Sequence, residues 1–274
     1  MIAINKQLYL SKMQAALDKD NIAHYYIDDI YLNDYLGGHL KIEYLSEIRC
    51  ISCHRKTNKS FNQGYCFVCM RNLAACDICI IKPELCHYHH GTCREASWGE
   101  EHCLKPHYIY LANTSHIKVG IARKANIPMR WIDQGAVQAL PILQVNQRLL
   151  SGLIEVELKK HISDKTHWQA MLKGQPESLD LKNCRDQLLT DKDSFVASIK
   201  KKYGSDAISS INSEVHKIHY PVLTYPQKIK SYHLDKAPCI SGKIMGIKGQ
   251  YMMLDTGVIN LRKFAGYLCQ LTIE

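Results

Sequence analysis

The chain has 274 residues, 46% of them apolar and 22% charged, which excludes a wholly disordered or fibrous polypeptide. Its 35 Lys and Arg against 26 Asp and Glu leave a formal charge of +9. An excess of that sign points to an anionic partner, of which nucleic acid is the commonest. No stretch approaches 18 uninterrupted apolar residues, so no membrane-spanning helix is expected. The opening residues carry no apolar leader, and the expectation is a cytoplasmic protein without a membrane partner.

Residues 1–45 read as short strands and turns. Ala23-His24-Tyr25-Tyr26-Ile27 and Leu40-Lys41-Ile42-Glu43-Tyr44-Leu45 are rich in β formers, with Gly37-Gly38 between them. The stretch from 46 to 104 holds nine of the 12 cysteines. His107 to Ala112 then reads as a strand, Lys118 to Ala122 as its hairpin partner, and Ile127 to Gln134 as a short helix. Leu150, Leu153, Ile154, Leu158 and Ile162 recur at helical spacing, and residues 178–218 look polar and helical. From Tyr220 onward short apolar runs alternate with glycines, a pattern that suits a small barrel or curled sheet.

The two ends share one spacing. Leu32-x4-Gly37-x2-Leu40-x-Ile42 matches Leu261-x4-Gly266-x2-Cys269-x-Leu271. Coincidence between two β meanders and duplication of one β module both fit this pattern.

In the cysteine-rich stretch, Cys50-x2-Cys53-x12-Cys66-x2-Cys69 is a pair of Cys-x-x-Cys knuckles. Each tight turn offers two thiolates to one ion, and two turns complete a tetrahedron around Zn²⁺. A third knuckle follows at Cys76 and Cys79. Its candidate partners are Cys86, His87, His89, His90, Cys93, His102 and Cys103. The expectation is two zinc ions drawn from Cys50, Cys53, Cys66, Cys69, Cys76, Cys79, Cys86, Cys93 and Cys103, with the sharing of ligands open and an iron–sulfur cluster as the alternative. Fully thiolate-ligated zinc leaves no position for water or substrate, so these ions would fold the region rather than catalyse. Cys184, Cys239 and Cys269 stand alone and read as small buried apolar residues.

Residues 107–162 resemble the GIY-YIG nuclease superfamily, in particular its phage-type branch. Tyr108-Ile109-Tyr110 is similar to the first motif and Lys118-Val119-Gly120 to the second. Tyr108 stands where glycine is usual, and Lys118 where the second tyrosine is usual. Arg130 falls at the position of the helix-borne arginine and Glu155 at that of the metal-binding glutamate. The resemblance implies a phosphodiester-cleaving, Mg²⁺-dependent endonuclease. In it Tyr110 would orient or deprotonate the attacking water, Arg130 would grip the phosphate and Glu155 would hold Mg²⁺. Lys118 and Arg123 would add positive field. The same residues also admit ordinary roles, with Tyr110 as a sheet residue and Arg130 with Glu155 as an ion pair. The chain as a whole is similar to an uncharacterised bacterial family with a Cys-rich first half and this same α/β segment.

Three further features have two readings each. Trp131 suits a core position or a stacking platform for a base. Lys200-Lys201-Lys202 suits the last turn of a helix or a phosphate contact. The lysines and tyrosines between 225 and 267 suit a β-sheet or a single-strand-binding face.

The expected architecture is α+β. It comprises a β module at 1–45, a zinc-binding region at 46–104, a GIY-YIG-like module at 105–175, a helical segment at 176–218 and a barrel-like β module at 219–274. The expected function is zinc-stabilised binding of DNA or RNA, with the endonuclease activity that the resemblance implies. A non-catalytic nucleic-acid binder and a zinc-ribbon adaptor for a protein partner are the alternatives.

Overall fold

Alternate residues from Leu40 and from Tyr267 onward are apolar, and both stretches fold as strands with that row buried. In the computed structural model, which describes residues 3–162 and 165–274, the chain opens with β1 (Ile4–Tyr9), β2 (Gln14–Leu17), β3 (Ala23–Ile27) and β4 (Ile30–Tyr31). A 3₁₀ turn (Leu32–Tyr35) leads into the long strand β5 (His39–Ile48). The Cys-rich stretch is a string of 3₁₀ turns punctuated by α1 (Phe67–Asn72) and α2 (Ala96–His102). The centre runs β6 (His107–Asn113), β7 (Ile117–Arg123), α3 (Met129–Asp133), β8 (Gln138–Val145) and α4 (Arg148–Leu158). Helices α5 (Trp168–Leu172), α6 (Leu181–Asp191) and α7 (Asp193–Tyr203) follow, then β9 (Ile208–Ser210) and β10 (His216–Lys217). The chain closes with β11 (Cys239–Lys248), β12 (Tyr251–Leu254), β13 (Gly257–Asn260), a 3₁₀ turn (Leu261–Phe264) and β14 (Tyr267–Ile273). The class is α+β, and among the described residues no helix is long and apolar enough to cross a membrane.

The C-terminal stretch does not close into a barrel. Its strands join those of the N-terminus in one open six-stranded sheet of order β1-β14-β5-β11-β12-β13. The segments 1–45 and 219–274 therefore share a sheet instead of forming two separate β modules. The reason is the apolar register. Pairing β14 with β5 places Leu40, Ile42, Cys269, Leu271 and Ile273 in one buried cluster. The helical reading of 178–218 also needs correction. Helices α6 and α7 end at Tyr203, and β9 and β10 then pair with β8, whose edge would otherwise stay open.

The register also decides between the two readings of the repeated spacing. Gly37 and Gly266 both take left-handed backbone, at φ 83° and 87°, after matching 3₁₀ turns. Ile42 pairs with Leu271, its own counterpart in the repeat. On either side, Leu40 pairs with Ile273 and Tyr44 with Cys269, so exchanging the two strands maps the ladder onto itself. Each half ends in a hairpin (β3-β4 or β12-β13), a 3₁₀ turn, a left-handed glycine and the paired strand, in that order. The ends of the chain are thus a pseudo-two-fold pair.

The central sheet has the order β10-β8-β6-β7, with β9 pairing farther along β8. One face carries Tyr110, Ala112, Ala122 and Ala139 into the core shared with the end sheet. The other carries Ile109, Leu111, Val119 and Leu140 against α4, α6 and α7. Trp131 is buried in the first core, and Lys200-Lys201-Lys202 forms the last turn of α7. The basic-aromatic stretch is not one face, since Lys248 and Tyr267 are buried while Lys228 and Lys230 are exposed. Strand β7 ends the sheet, so its outer backbone edge has no partner strand among the described residues.

Gly266 tests the closure of the fold. A Cβ there would lie 2.2 Å from the Arg49 carbonyl oxygen, whereas one at Gly174 would meet nothing within 4 Å. Gly266→Ala is expected to cost more than about 2 kcal/mol in denaturant unfolding. Gly174→Ala should leave the midpoint within about 0.5 kcal/mol of the parent.

Candidate functional site

Two neighbouring features lie between the Cys-rich stretch and the central sheet. The first is a thiol cluster. The Arg49 N–H donates to the Gly266 carbonyl (2.8 Å), which seats the first knuckle at the foot of β14. The turn after Cys50 is closed by His54 N–H to Cys50 carbonyl (2.9 Å), with His54 at φ 57°. Gly64, at φ 132°, precedes the second knuckle, where Cys66 caps α1 and accepts from the Cys69 N–H (3.5 Å). The Sγ atoms of Cys50, Cys53, Cys66 and Cys69 all lie within 4.8 Å of one another, with Cys53 and Cys66 3.8 Å apart. Four thiolates bound at the ordinary Zn–S distance sit about 3.8 Å apart, so the cluster has the size of a closed zinc site.

The thiols differ in acidity across the cluster. At Cys50, burial pushes the thiol up, but amide donors from Cys53, Cys66 and Ser52 outweigh it and bring it to about 6. Desolvation and the neighbouring thiols push Cys69 up to about 12. One thiolate forms readily, and a second beside it is disfavoured by burial and like charge.

The other cysteines divide. Cys76 faces Asn62 and Tyr65 in the cleft described below. Cys79, Cys86, Cys93 and Cys103 line a separate small cavity. The donor atoms of Asp77, Cys79 and His87 lie within 4.8 Å of one another. The third knuckle is thus split, because Cys76 and Cys79 sit on successive 3₁₀ turns facing different spaces.

The second feature is a basic cleft of about 680 Å³ along the open edge of β7. Its floor is the strand from Lys118 to Arg123. Arg130 and Gln134 rise from the α3 region, Arg148 and Glu155 from α4, and Arg262 from the 3₁₀ turn before β14, while the Cys-rich turns form the opposite wall. Three of the residues singled out by the sequence, Lys118, Arg130 and Glu155, line this one space. The fourth, Tyr110, lies beneath it. A Cβ at Gly120 would sit 2.7 Å from the Tyr110 hydroxyl, so only glycine lets the ring lie there. The ring is fully buried and meets Trp131 edge-on at 6.0 Å. Burial pushes the phenol up to about 12 against the pull of Arg130, so at neutral pH it keeps its proton. Its hydroxyl lies near Arg130 and Gln134 but has no hydrogen-bond partner among the described residues.

Lys118 donates to the Thr166 hydroxyl (3.2 Å), and Glu155 pairs with Lys159 one helical turn on (3.5 Å). Arg148 is anchored, its Nη2 donating to the Ile80 carbonyl at 2.7 Å. Burial lowers the guanidinium of both Arg148 and Arg262, and the charge of Arg130 lowers both further. Like charges gathered this way favour an anion between them.

Sequence reasoning gave no role to Arg148, His107 or Gln134, and took Arg262 as one of many basic C-terminal residues. None carries a local signal, since they come from four separate elements. His107 is fully buried. Its Nδ1–H donates to the Lys105 carbonyl (2.7 Å), and its Nε2 has no partner among the described residues. Burial pulls its pKa down to about 4, with Arg148 and Arg123 adding to the effect. The Oε1 of Gln134 is likewise buried and without a partner among the described residues.

Two outcomes follow from this geometry. Cys53→Ser should lower the zinc content by one ion per chain in elemental analysis, together with the melting midpoint. His107 binds its proton more weakly folded than unfolded, so its neutral form stabilises the fold fully above the unfolded value near 6.5. That contribution is lost as pH falls toward 4, by up to about 3 kcal/mol. In urea titrations from pH 7 to pH 4, His107→Gln should flatten the pH dependence of stability.

Comparison with known proteins adds one match. No curated protein and no solved structure matches the chain. A family model does match, over residues 37–269, which span both the thiol cluster and the cleft. On that coverage the chain belongs to the family described as Protein of unknown function (DUF2797).

Proposed function

We propose that the cleft along β7 binds the phosphodiester backbone of a nucleic acid and hydrolyses it, with the thiol cluster holding zinc as a structural ion. The observation that carries this reading is the gathering of Lys118, Arg123, Arg130, Arg148 and Arg262 on one cleft with the carboxylates Glu155 and Asp77, the latter paired with Arg94. A cleft of that charge suits a polyanion, and its planar guanidinium forks suit phosphate oxygens. A hairpin followed by Arg130 on a helix and Glu155 on a later helix is also what the GIY-YIG resemblance implies.

In hydrolysis water adds to phosphorus, one ester P–O bond breaks, and the departing oxygen takes up a proton. Arg130 would hold the phosphate and stabilise the charge that builds on its oxygens. Tyr110 would fix Arg130 and Gln134 from below, as a positioning residue. Glu155 and the Gln134 Oε1, which has no partner among the described residues, are hard oxygen donors on one cleft, which fits Mg²⁺. When bound, that ion supplies Lewis-acid stabilisation of the leaving oxygen.

The adaptor reading has one observation of its own. The Cys-rich stretch exposes Phe67, Val68, Ile78, Ile81 and Leu85, each at least half exposed. Such side chains suit a protein partner.

The test combines binding and cleavage. With Mg²⁺, the protein should nick plasmid DNA, branched DNA or structured RNA. Arg130→Ala and Glu155→Gln should each lower the rate by about 10²-fold or more. Arg262→Ala should weaken binding and reduce the slope of log affinity against log salt by about one. Binding without cleavage leaves the cleft as a non-catalytic grip. Absence of binding to DNA and RNA at low salt overturns the reading and leaves the adaptor.

A further inference from the structure

Residues 49–106 supply no member of the three apolar core clusters. Their buried side chains are chiefly cysteines, with Ile78, Ile81 and Leu85 turned outward. Between Ala74 and His90 the backbone is a run of three-residue 3₁₀ turns, which do not hold one another in place without cross-links. The Cys50–Cys69 cluster secures the first part of this stretch. Something else must secure the turns from 76 to 103.

We infer that Cys79, Cys86, Cys93 and Cys103 hold a second zinc ion. These four cysteines line one cavity of about 10 Å³, close to the space of a single water-sized sphere. They arrive from four separate places. Cys79 comes from the turn Ile78–Ile80, Cys86 follows the turn Pro83–Leu85, Cys93 precedes α2 and Cys103 caps its end. The thiols of Cys86 and Cys103 are hydrogen-bond neighbours.

Asp77 and His87 also border the cavity, with donor atoms within 4.8 Å of the Cys79 sulfur, but each already has polar partners. Asp77 accepts from the Cys79 N–H (3.2 Å) and pairs with Arg94 Nε (2.7 Å). His87 contacts the Thr92 hydroxyl through Nδ1 (2.8 Å) and faces Asp77 through Nε2 (3.5 Å). They therefore orient the turn that carries Cys79 and leave the metal to sulfur, the usual division between ligands and their supports.

The site has a mechanical consequence. The Arg148 N–H donates to the Cys103 carbonyl (2.7 Å), and the guanidinium donates to the carbonyls of Cys79 (3.4 Å) and Ile80 (2.7 Å). Gly152 of α4 lies so close to the turn at 83–84 that a Cβ would fall 2.3 Å from the Glu84 nitrogen. An ion joining Cys79 to Cys103 thus clamps two of the three carbonyls that fix Arg148 in the cleft. The assignment rests on the cysteines and holds whether or not the cleft cleaves nucleic acid.

Elemental analysis and native mass spectrometry of the full chain should give two zinc ions. Cys86→Ser and Cys103→Ser should each retain one, and Cys53→Ser should retain the other. With Co²⁺ in place of zinc, the thiolate-to-metal charge-transfer band should halve in Cys86→Ser and stay unchanged in His87→Ala. Should the serine variants fail to fold, the wild-type chain still decides. Iodoacetamide should label Cys79, Cys86, Cys93 and Cys103 an order of magnitude or more slower before chelation than after it. A single zinc removed only by variants of the first cluster overturns the inference. So does equal labelling with and without chelator, a Cys86–Cys103 disulfide in the peptide map, or a cobalt band altered by His87→Ala.

Discussion

The ladder between β5 and β14 is the constraint on which everything else hangs. It joins residues from opposite ends of the chain, Leu40 to Ile273 and Tyr267 to Ile48. Closing so long a loop costs chain entropy, which the buried row of Leu40, Ile42, Cys269, Leu271 and Ile273 offsets through apolar area removed from water. The ladder also sets positions. The first knuckle starts directly after β5 and is tied by Arg49 to Gly266, while Arg262 enters the cleft from the turn just before β14. Lose this pairing, and the Cys-rich stretch has no fixed seat against β7.

Its near-symmetry explains how one sheet can serve both ends. Each half alone is a few strands with one apolar face, too small to bury that face by itself. Paired about Ile42 and Leu271, the two halves cover one another and form a base for the central module. The central sheet then needs apolar residues on both faces. Its strands accordingly run Ile109-Tyr110-Leu111-Ala112, with small or aromatic residues toward the base and branched ones toward α4.

Between these parts, sulfur replaces hydrocarbon. The Cys-rich stretch has no apolar core, and its turns are fixed by thiols and by backbone donors such as those of Arg148. This leaves the cleft with one wall of cysteine-bearing turns and one that rests on packing. Charge is distributed accordingly. The arginines come from β7, α3, α4 and the last 3₁₀ turn, elements rigid enough to hold like charges together near Glu155.

Much of this was legible in the sequence. The knuckle spacing marked Cys50, Cys53, Cys66 and Cys69 as metal ligands, because each tight turn offers two thiolates, but which cysteines share one ion was decided by the fold. The hairpin at 107–123 and the helix around Glu155 followed from periodicity, and Lys118, Arg130 and Glu155 were named by position. Other features required the fold. The barrel expected at 219–274 became half of a shared sheet, since a strand's partner is chosen by long-range register. Arg148, Arg262, His107 and Gln134 come from distant segments, and no spacing links them. Cys76 and Cys79 read as one knuckle, yet successive 3₁₀ turns aim them at different spaces. Residue type and local spacing set which chemistry the chain can offer. Tertiary structure alone decided which of those groups meet, because burial and charge depend on neighbours remote in sequence.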